Sequence, residues 1–282
     1  MTIDIILPVY NAFDTILSCL NSICDQKVDA KVKVTILDDA SYDTYDYLYD
    51  MYKNKLDINI IRFEDNTGPG AKRKWAIEHT NGDYLLFLDA DDVLYEDKAL
   101  ANLLNKIQEG YDVVYGMEYN QEIKNITISF SNMHGKLYSR KYINDNHITY
   151  PDTRYHDDNF FNNNFILTGA NIYAIEDVVY IYIHNKKSLT KKDTYTDYNS
   201  LEDFFKNMKK FNDEIDYTKV IDLYRKFLKE KYSFVNRLYN ESDDEQKKHI
   251  EELVRENDPN NIPLVGAKDK DDLNERINEL YK

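Results

Sequence analysis

Asp89-Ala90-Asp91-Asp92 directly follows the apolar run Tyr84-Leu85-Leu86-Phe87-Leu88. A run of that length reads as a buried strand, so a group of carboxylates stands at its carboxyl end. Like charges that close repel one another, and partial burial raises the cost. A divalent cation reverses the sign. Hard cations such as Mg²⁺ take oxygen ligands, often one or two carboxylates together with substrate phosphates. The motif therefore fits a site for a metal-bound, phosphate-containing molecule. It also fits a solvated turn in which Asp89 or Asp92 merely caps a helix starting near Glu96.

The elements around the motif favour the first reading. Ile3-Asp4-Ile5-Ile6-Leu7 reads as a strand stopped by Pro8, and Ile16, Leu17, Leu20 and Ile23 give the following helix an apolar face. A second strand, Val32 to Leu37, ends in Asp38-Asp39-Ala40-Ser41 and leads to a tyrosine-rich helix. A third, Ile58 to Ile61, precedes Asn66-Thr67-Gly68-Pro69-Gly70 and a helix carrying Lys72, Arg73 and Lys74. Strands alternating with helices predict a mostly parallel α/β sheet flanked by helices. Ligands of such sheets bind beyond the carboxyl ends of the strands. Asp38-Asp39 and Asp89-Asp91 both stand at such ends, so two independent features converge on one crevice.

These residues carry a resemblance. Ile6-Leu7-Pro8-Val9-Tyr10-Asn11, Asp38-Asp39-Ala40-Ser41, Asn66 with Gly68 and Arg73, Gly82-Asp83-Tyr84 and Asp89-Ala90-Asp91-Asp92 resemble the family 2 glycosyltransferases in order and spacing. Those enzymes have the GT-A fold, use nucleotide sugars and invert the anomeric centre. The likeness continues through His134-Gly135-Lys136-Leu137-Tyr138 and Tyr155-His156-Asp157-Asp158-Asn159-Phe160-Phe161, similar to the family's acceptor-side segment. The resemblance implies a UDP-sugar donor and a Mn²⁺ or Mg²⁺ cofactor, with Asp91 the main metal ligand and Asp89 binding ribose or helping to order the metal. It implies that Asp39, or its neighbour Asp38, reads the uracil edge, while Pro8, Val9 and Tyr10 flank the base. Gly68 and Arg73 fall among the donor-binding positions. It makes Asp158 the catalytic base, with Asp157 the alternative; without the other motifs that pair would read as acidic residues at a helix N-terminus.

The chain departs from the family pattern in places. Lys72 and Lys74 flank Arg73 where alanine and asparagine are usual, which suits a diphosphate. The acidic pair is Asp-Asp rather than Glu-Asp. Ile183 stands where an arginine is common after the tyrosine, which leaves His184, as an extra metal or phosphate ligand, or Lys186 and Lys187 to supply that contact. His134, His147 and His156 read as surface or structural residues.

Composition sets the outer bounds. The 282 residues carry 36 Lys plus Arg against 51 Asp plus Glu, a net charge of −15. That disfavours non-specific binding to nucleic acid. Cys19 and Cys24, the only two cysteines, share neither a helix face nor a zinc-ligand spacing. Plain packing in a reducing compartment is their expected role. No apolar run approaches the roughly 20 residues that span a bilayer, and no secretory signal is visible. A cytoplasmic protein is expected. Some of the 25 tyrosines are expected to line the site and stack on sugar or base.

The expected organisation is a GT-A domain over residues 1–195, with a nucleotide-sugar half (1–115) and an acceptor half (116–195), then a helical region over 196–282. Leu201, Phe204, Phe205 and Met208 follow one helical repeat there, and Leu273, Ile277 and Leu280 another. That region reads as a packing or homo-oligomerisation element, or as an acceptor-docking module. Three functions fit: transfer of a sugar to a hydroxyl of a glycan or cell-surface polymer, decoration of a nucleic-acid base or a protein, and a degenerate, non-catalytic binding module. The presence of Asp39, Arg73, Asp89, Asp91 and Asp158 speaks against the third, and the overall acidity argues against the nucleic-acid version of the second.

Overall fold

Ile3, Ile5 and Leu7 lie on one face of strand β1 (Thr2–Val9) and Ile6 on the other, and all four are fully buried. A strand apolar on both faces belongs inside a sheet that is covered on both sides. β1 has that place in the computed structural model of the chain, which describes residues 1–151, 157–183, 198–214 and 221–281. It pairs in parallel with β2 (Lys31–Asp38) and β4 (Tyr84–Phe87), and β2 pairs in parallel with β3 (Asp57–Arg62). One face is packed by α1 (Ile16–Cys24), α2 (Asp46–Tyr52) and α4 (Ala99–Ile107). The other is packed by α3 (Pro69–His79), α5 (Arg140–Asp145) and α6 (Asp157–Leu167).

The second half of the sheet is mixed. It contains β5 (Val93–Leu94), β6 (Val113–Asn120), β7 (Asn125–Thr127), β8 (Lys136–Ser139) and β9 (Ile172–Tyr182). The strand order is β3-β2-β1-β4-β8-β6-β9-β5, with β7 on β6. β8 is antiparallel to β4 and β6, whereas β6 and β9 run parallel. β5 follows the Asp89–Asp92 turn and pairs with the far end of β9. The expected α/β architecture is present, a sheet between helices with parallel strands in its first half. These 188 residues form one unit, Met1–Ser188, and Leu189–Lys282 forms another.

Three boundaries differ from the sequence reading, each for a local reason. β1 continues through Pro8, because the even positions of β1 turn their backbone towards β4, whose pairing ends opposite Ile6. The missing N–H of Pro8 therefore falls where no ladder bond is needed. The helix expected from Glu96 starts at Ala99. Glu96 has a φ of 48°, a left-handed conformation that cannot enter a right-handed helix. Ile126-Thr127-Ile128-Ser129-Phe130 alternates as an edge strand would, but the strand ends with β7 at Thr127, because the chain then turns so that the Ser129 carbonyl meets the Lys136 ammonium.

The second unit is helical: α7 (Tyr198–Glu214), α8 (Ile221–Glu241), α9 (Asp244–Asn257), a 3₁₀ turn at Pro259–Leu264 and α10 (Lys270–Leu280). Leu201, Phe204, Phe205 and Met208 are buried, as are Leu273 and Ile277, but Leu280 is exposed. α9 opens with a capping box between Asp243 and Gln246. Among the described residues, no helix is long and apolar enough to cross a membrane.

One buried ion pair fixes the sheet to its second layer. Asp4 on β1 and Arg140 at the start of α5 are 2% and 7% exposed, and Arg140 also donates to the Ile77 carbonyl and the Thr80 hydroxyl. The Asp4 carboxylate accepts the Gly82 N–H, where a Cβ would come within 2.6 Å of its carboxyl carbon. Removing one member of such a pair costs roughly 3–5 kcal/mol, because a buried charge is left unpaired. Arg140→Met should lower the stability measured by urea unfolding by that order. Asp4→Leu in the same chain should recover part of the loss, and a single variant of wild-type stability would contradict the assignment.

Candidate active site

The ends of β1 and β2 are tied together. The Asp39 N–H donates to the Val9 carbonyl, the Asn11 N–H to Ser41 Oγ, and the Tyr42 N–H to Asn11 Oδ1. Asn11 and Ala40 have φ values of 52° and 60°. Asparagine tolerates that region, whereas alanine there stores strain of roughly 1–3 kcal/mol. Strain of this kind persists only where the surroundings enforce it, and it sits here at the crevice. Pro8 is half-buried, Val9 buried, and Tyr10 56% exposed.

Asp38 and Asp39 serve different loops. Asp38 accepts the Ser41 N–H at 3.0 Å and faces Arg62 at 3.2 Å. Asp39 accepts the Thr67 and Gly68 N–H groups at 2.9 and 2.8 Å and pairs with Lys72 at 2.5 Å. A carboxylate offers about four acceptor positions, so Asp39 keeps one free while clamping the loop that enters α3. Gly68 has a φ of 91°, which suits glycine, and Pro69 follows at the first helical turn. In the sequence, the charge of Lys72 and Lys74 suits a diphosphate. The Lys72 side chain is 3% exposed, folded back on Asp39, the Thr67 hydroxyl and the Phe63 ring.

One turn along α3, Arg73 is the hub. Its guanidinium is 3% exposed and donates to Asp89 at 2.8 Å, Asp158 at 2.8 Å and Asp157 at 3.2 Å. Its Nε is buried and has no hydrogen-bond partner among the described residues. Asp157 and Asp158 open α6, where carboxylates suit the helix dipole. Gly70 makes the approach possible: a Cβ there would meet the Asp157 carboxylate at 2.5 Å. The network thus joins the end of β4 to the start of α6.

Electrostatics follow from burial. Burial opposes the charge on Arg73, but Asp158, Asp89, Tyr150 and Asp157 outweigh it and raise its pKa. Burial lifts the Asp158 carboxyl, against the pull of Arg73, and lifts Asp157, which the Asp158 charge raises further. Asp92 lies deeper: its carboxylate accepts the Tyr180 hydroxyl at 2.6 Å and the Ile183 N–H at 2.7 Å. Burial and the Asp89 charge push its pKa up to about 8.

β6 and β8 add further groups. Glu118 approaches His134 Nδ1 at 2.6 Å, and His134 Nε2 stands 3.9 Å from Asp89. Burial opposes charge on His134, but Glu118, Asp89 and Asp92 raise its pKa overall. Lys136 is fully buried and donates to the Ser129 and His134 carbonyls and to Asn132 Oδ1. Burial lowers its pKa to about 7, against the attraction of Asp158 and Glu118. Ligand atoms of Asp89, Asp92 and His134 lie within 4.8 Å of one another. Oxygen and nitrogen donors that close, amid an excess of carboxylates, fit a divalent cation.

The structure therefore brings Arg73, Asp89, Asp157 and Asp158 into one network, and places Pro8, Val9, Tyr10, Asp38, Asp39 and Gly68 on the neighbouring loops. Asp91 is half-buried in the turn that carries Asp89. His184 and Lys187 lie outside the described residues. Glu118 had no part in the sequence reading, Gly70 and Lys136 stood only within longer segments and had no role assigned, and His134 read as a surface or structural residue. No local pattern gives these residues a role, since they meet the motif only through strand pairing and helix packing. The tyrosines Tyr138, Tyr150 and Tyr180 are fully buried. Tyr138 and Tyr150 pack with Phe87 and Phe161 in the core.

Known proteins are similar to this chain in sequence and in fold. The model described as Glycosyl transferase family 2 matches residues 4–179. The poly(ribitol-phosphate) beta-N-acetylglucosaminyltransferase TarS of Staphylococcus aureus is 25% identical over 229 residues, 74% of this chain and 39% of the relative. A poly(ribitol-phosphate) beta-glucosyltransferase of Bacillus spizizenii is 29% identical over 205 residues, 65% of this chain and 32% of the relative. The chain thus spans about two fifths or less of the length of these relatives. The crystal structure of S. aureus TarS 1-349 in complex with UDP-GlcNAc superposes with a TM-score of 0.79 at 22% identity, over 99% of this chain and 91% of that one. With the family model covering most of the first unit, and the strand-end carboxylates gathered around Arg73, the chain belongs to glycosyl transferase family 2.

Proposed function

We propose that this chain is a UDP-sugar-dependent inverting transferase that moves a sugar to a hydroxyl of a glycan or cell-surface polymer. The observation that carries the reading is the Arg73 network, which joins a strand-end aspartate suited to a donor with a helix-start aspartate suited to a base. The names of the two poly(ribitol-phosphate) transferases support a polymeric acceptor, and UDP-GlcNAc in the TarS crystal supports a uridine donor.

In this reading, Pro8, Val9 and Tyr10 flank the base, and the free acceptor position of Asp39 takes the uracil imide hydrogen. Asp38 holds the loop beneath it. Asp89 and Asp91, with Asp92 and His134 close by, would hold Mn²⁺ or Mg²⁺. The ion supplies Lewis-acid stabilisation of the diphosphate. Arg73 stabilises the same leaving charge and orients both carboxylates. Asp158 takes the proton of the acceptor hydroxyl as its oxygen attacks the anomeric carbon. The bond from that carbon to the diphosphate breaks, and UDP leaves. Asp157 positions Asp158 and shares its hydrogen-bonding partner.

A panel of nucleotide sugars tests the donor. UDP-sugars should release nucleoside diphosphate, even by slow hydrolysis, and UDP should bind more tightly than ADP or GDP in calorimetry. Release from another nucleotide class alone would refute the assignment of Asp39. Asp158→Asn tests the base. Asparagine keeps the shape but takes no proton, so kcat should fall roughly 10²–10⁴-fold, with UDP binding nearly intact. The base works deprotonated, and its pKa is raised. The acid limb of kcat/KM should therefore lie above the usual carboxylate range, with activity rising as pH increases through it. Near-normal turnover of Asp158→Asn, or a limb near pH 4, would contradict the role.

A further inference from the structure

We infer that His134 supplies a nitrogen ligand to the divalent cation beside Asp89 and Asp92, and that Glu118 is its positioning residue. The inference rests on the reading of a cation-assisted nucleotide-sugar site and concerns which protein atoms meet the cation.

The geometry is that of an oriented ligand. Glu118 lies 2.6 Å from Nδ1, so Nδ1 carries the hydrogen of that bond and Nε2 of the neutral ring presents a lone pair. Pairing of a ligating histidine with a carboxylate is a recurrent device for fixing tautomer and ring direction. Nε2 points towards Asp89 at 3.9 Å. That is too long for a hydrogen bond, but it suits two ligands sharing one ion at about 2.1 Å each. The ring plane is held as well. It stacks on Tyr180 at 4.5 Å and on Tyr182 at 5.6 Å. Tyr180 also donates to Asp92, so one tyrosine supports two members of the site.

The support extends outwards in order. Asn132 donates to Glu118 at 3.2 Å. Lys136 donates to Asn132 Oδ1 and to the His134 carbonyl. A buried ammonium therefore holds the turn, the turn holds the glutamate, and the glutamate aims the imidazole. Such nested bonding confers the precision a ligand site requires. A surface histidine needs none of it. Imidazole is a borderline donor that favours Mn²⁺, Co²⁺ or Zn²⁺ over Mg²⁺. The site should discriminate in that direction.

Pulsed electron paramagnetic resonance of Mn²⁺ bound with UDP tests the assignment without turnover. The measurement uses ¹⁵N-histidine-labelled protein in the His184→Gln background, which removes the other candidate histidine. A histidine nitrogen coupling should be present there and should vanish on adding His134→Gln. Mn²⁺ affinity should then fall roughly 10–100-fold, with Glu118→Gln giving a smaller loss and keeping the coupling. If bound Mn²⁺ shows no histidine coupling in the His184→Gln protein, or the coupling survives His134→Gln, the inference is overturned while the cation reading stands. A first spectrum without coupling overturns the inference even if the doubly substituted protein does not fold. If UDP binds but no divalent cation binds with it, both fail.

Discussion

A single guanidinium shared among three carboxylates constrains the rest of this site. Arg73 is buried, so its charge must be compensated, and Asp89, Asp157 and Asp158 do so at 2.8–3.2 Å. The compensation overshoots: three carboxylates surround one cation, and Asp92 adds a fourth nearby. An excess of negative charge in a half-buried crevice is costly unless protons, a metal ion or a positively charged partner offset it. Burial first, and repulsion between neighbouring carboxylates second, raise the pKa values of Asp92, Asp157 and Asp158. Those values describe what such a site suits: a proton acceptor poised above the usual carboxylate range, and a cation beside it.

The fold supplies the positions at little local expense. The carboxyl ends of β1, β2 and β4 lie side by side because the three strands are parallel. Their loops therefore open on one edge of the sheet, the place where α/β sheets bind ligands. The mixed second half has another use. Antiparallel β8 and parallel β9 flank β6, which brings Glu118, His134 and Tyr180 together below the Asp89 turn. Gly70 then lets α6 approach α3 closely enough for Asp157 to reach Arg73.

Much of this was legible in the sequence, and what was not has physical causes. The order of strands and helices in the first half follows from runs such as Ile3–Leu7 and Tyr84–Leu88, whose apolar pattern leaves few alternatives. Asp89 could be singled out because a strand end is a local feature, whereas Arg73 and Asp158 stood out only through the family resemblance. The Glu118–His134 pair could not, because it depends on strand pairing between residues 16 apart with no shared motif. Lys72 shows a different limit. Spacing put a cation near the expected diphosphate, but only the packed structure reveals that Asp39 has already claimed it. Glu96 shows a third: its left-handed backbone displaces the helix start by three residues, and nothing in its identity announces that.

In the proposed reaction, Arg73 couples the carboxylate beside the donor and the carboxylate beside the acceptor as one unit. A double-mutant cycle on turnover with Arg73→Lys and Asp158→Asn measures that coupling most directly. Lysine keeps the charge but cannot span three carboxylates in a fixed fork. The two substitutions should be strongly non-additive, with a coupling of roughly 1–3 kcal/mol, as for residues in one buried network. Effects that add to within about 0.5 kcal/mol would mean that the two groups act independently, and the account built on their union would be wrong.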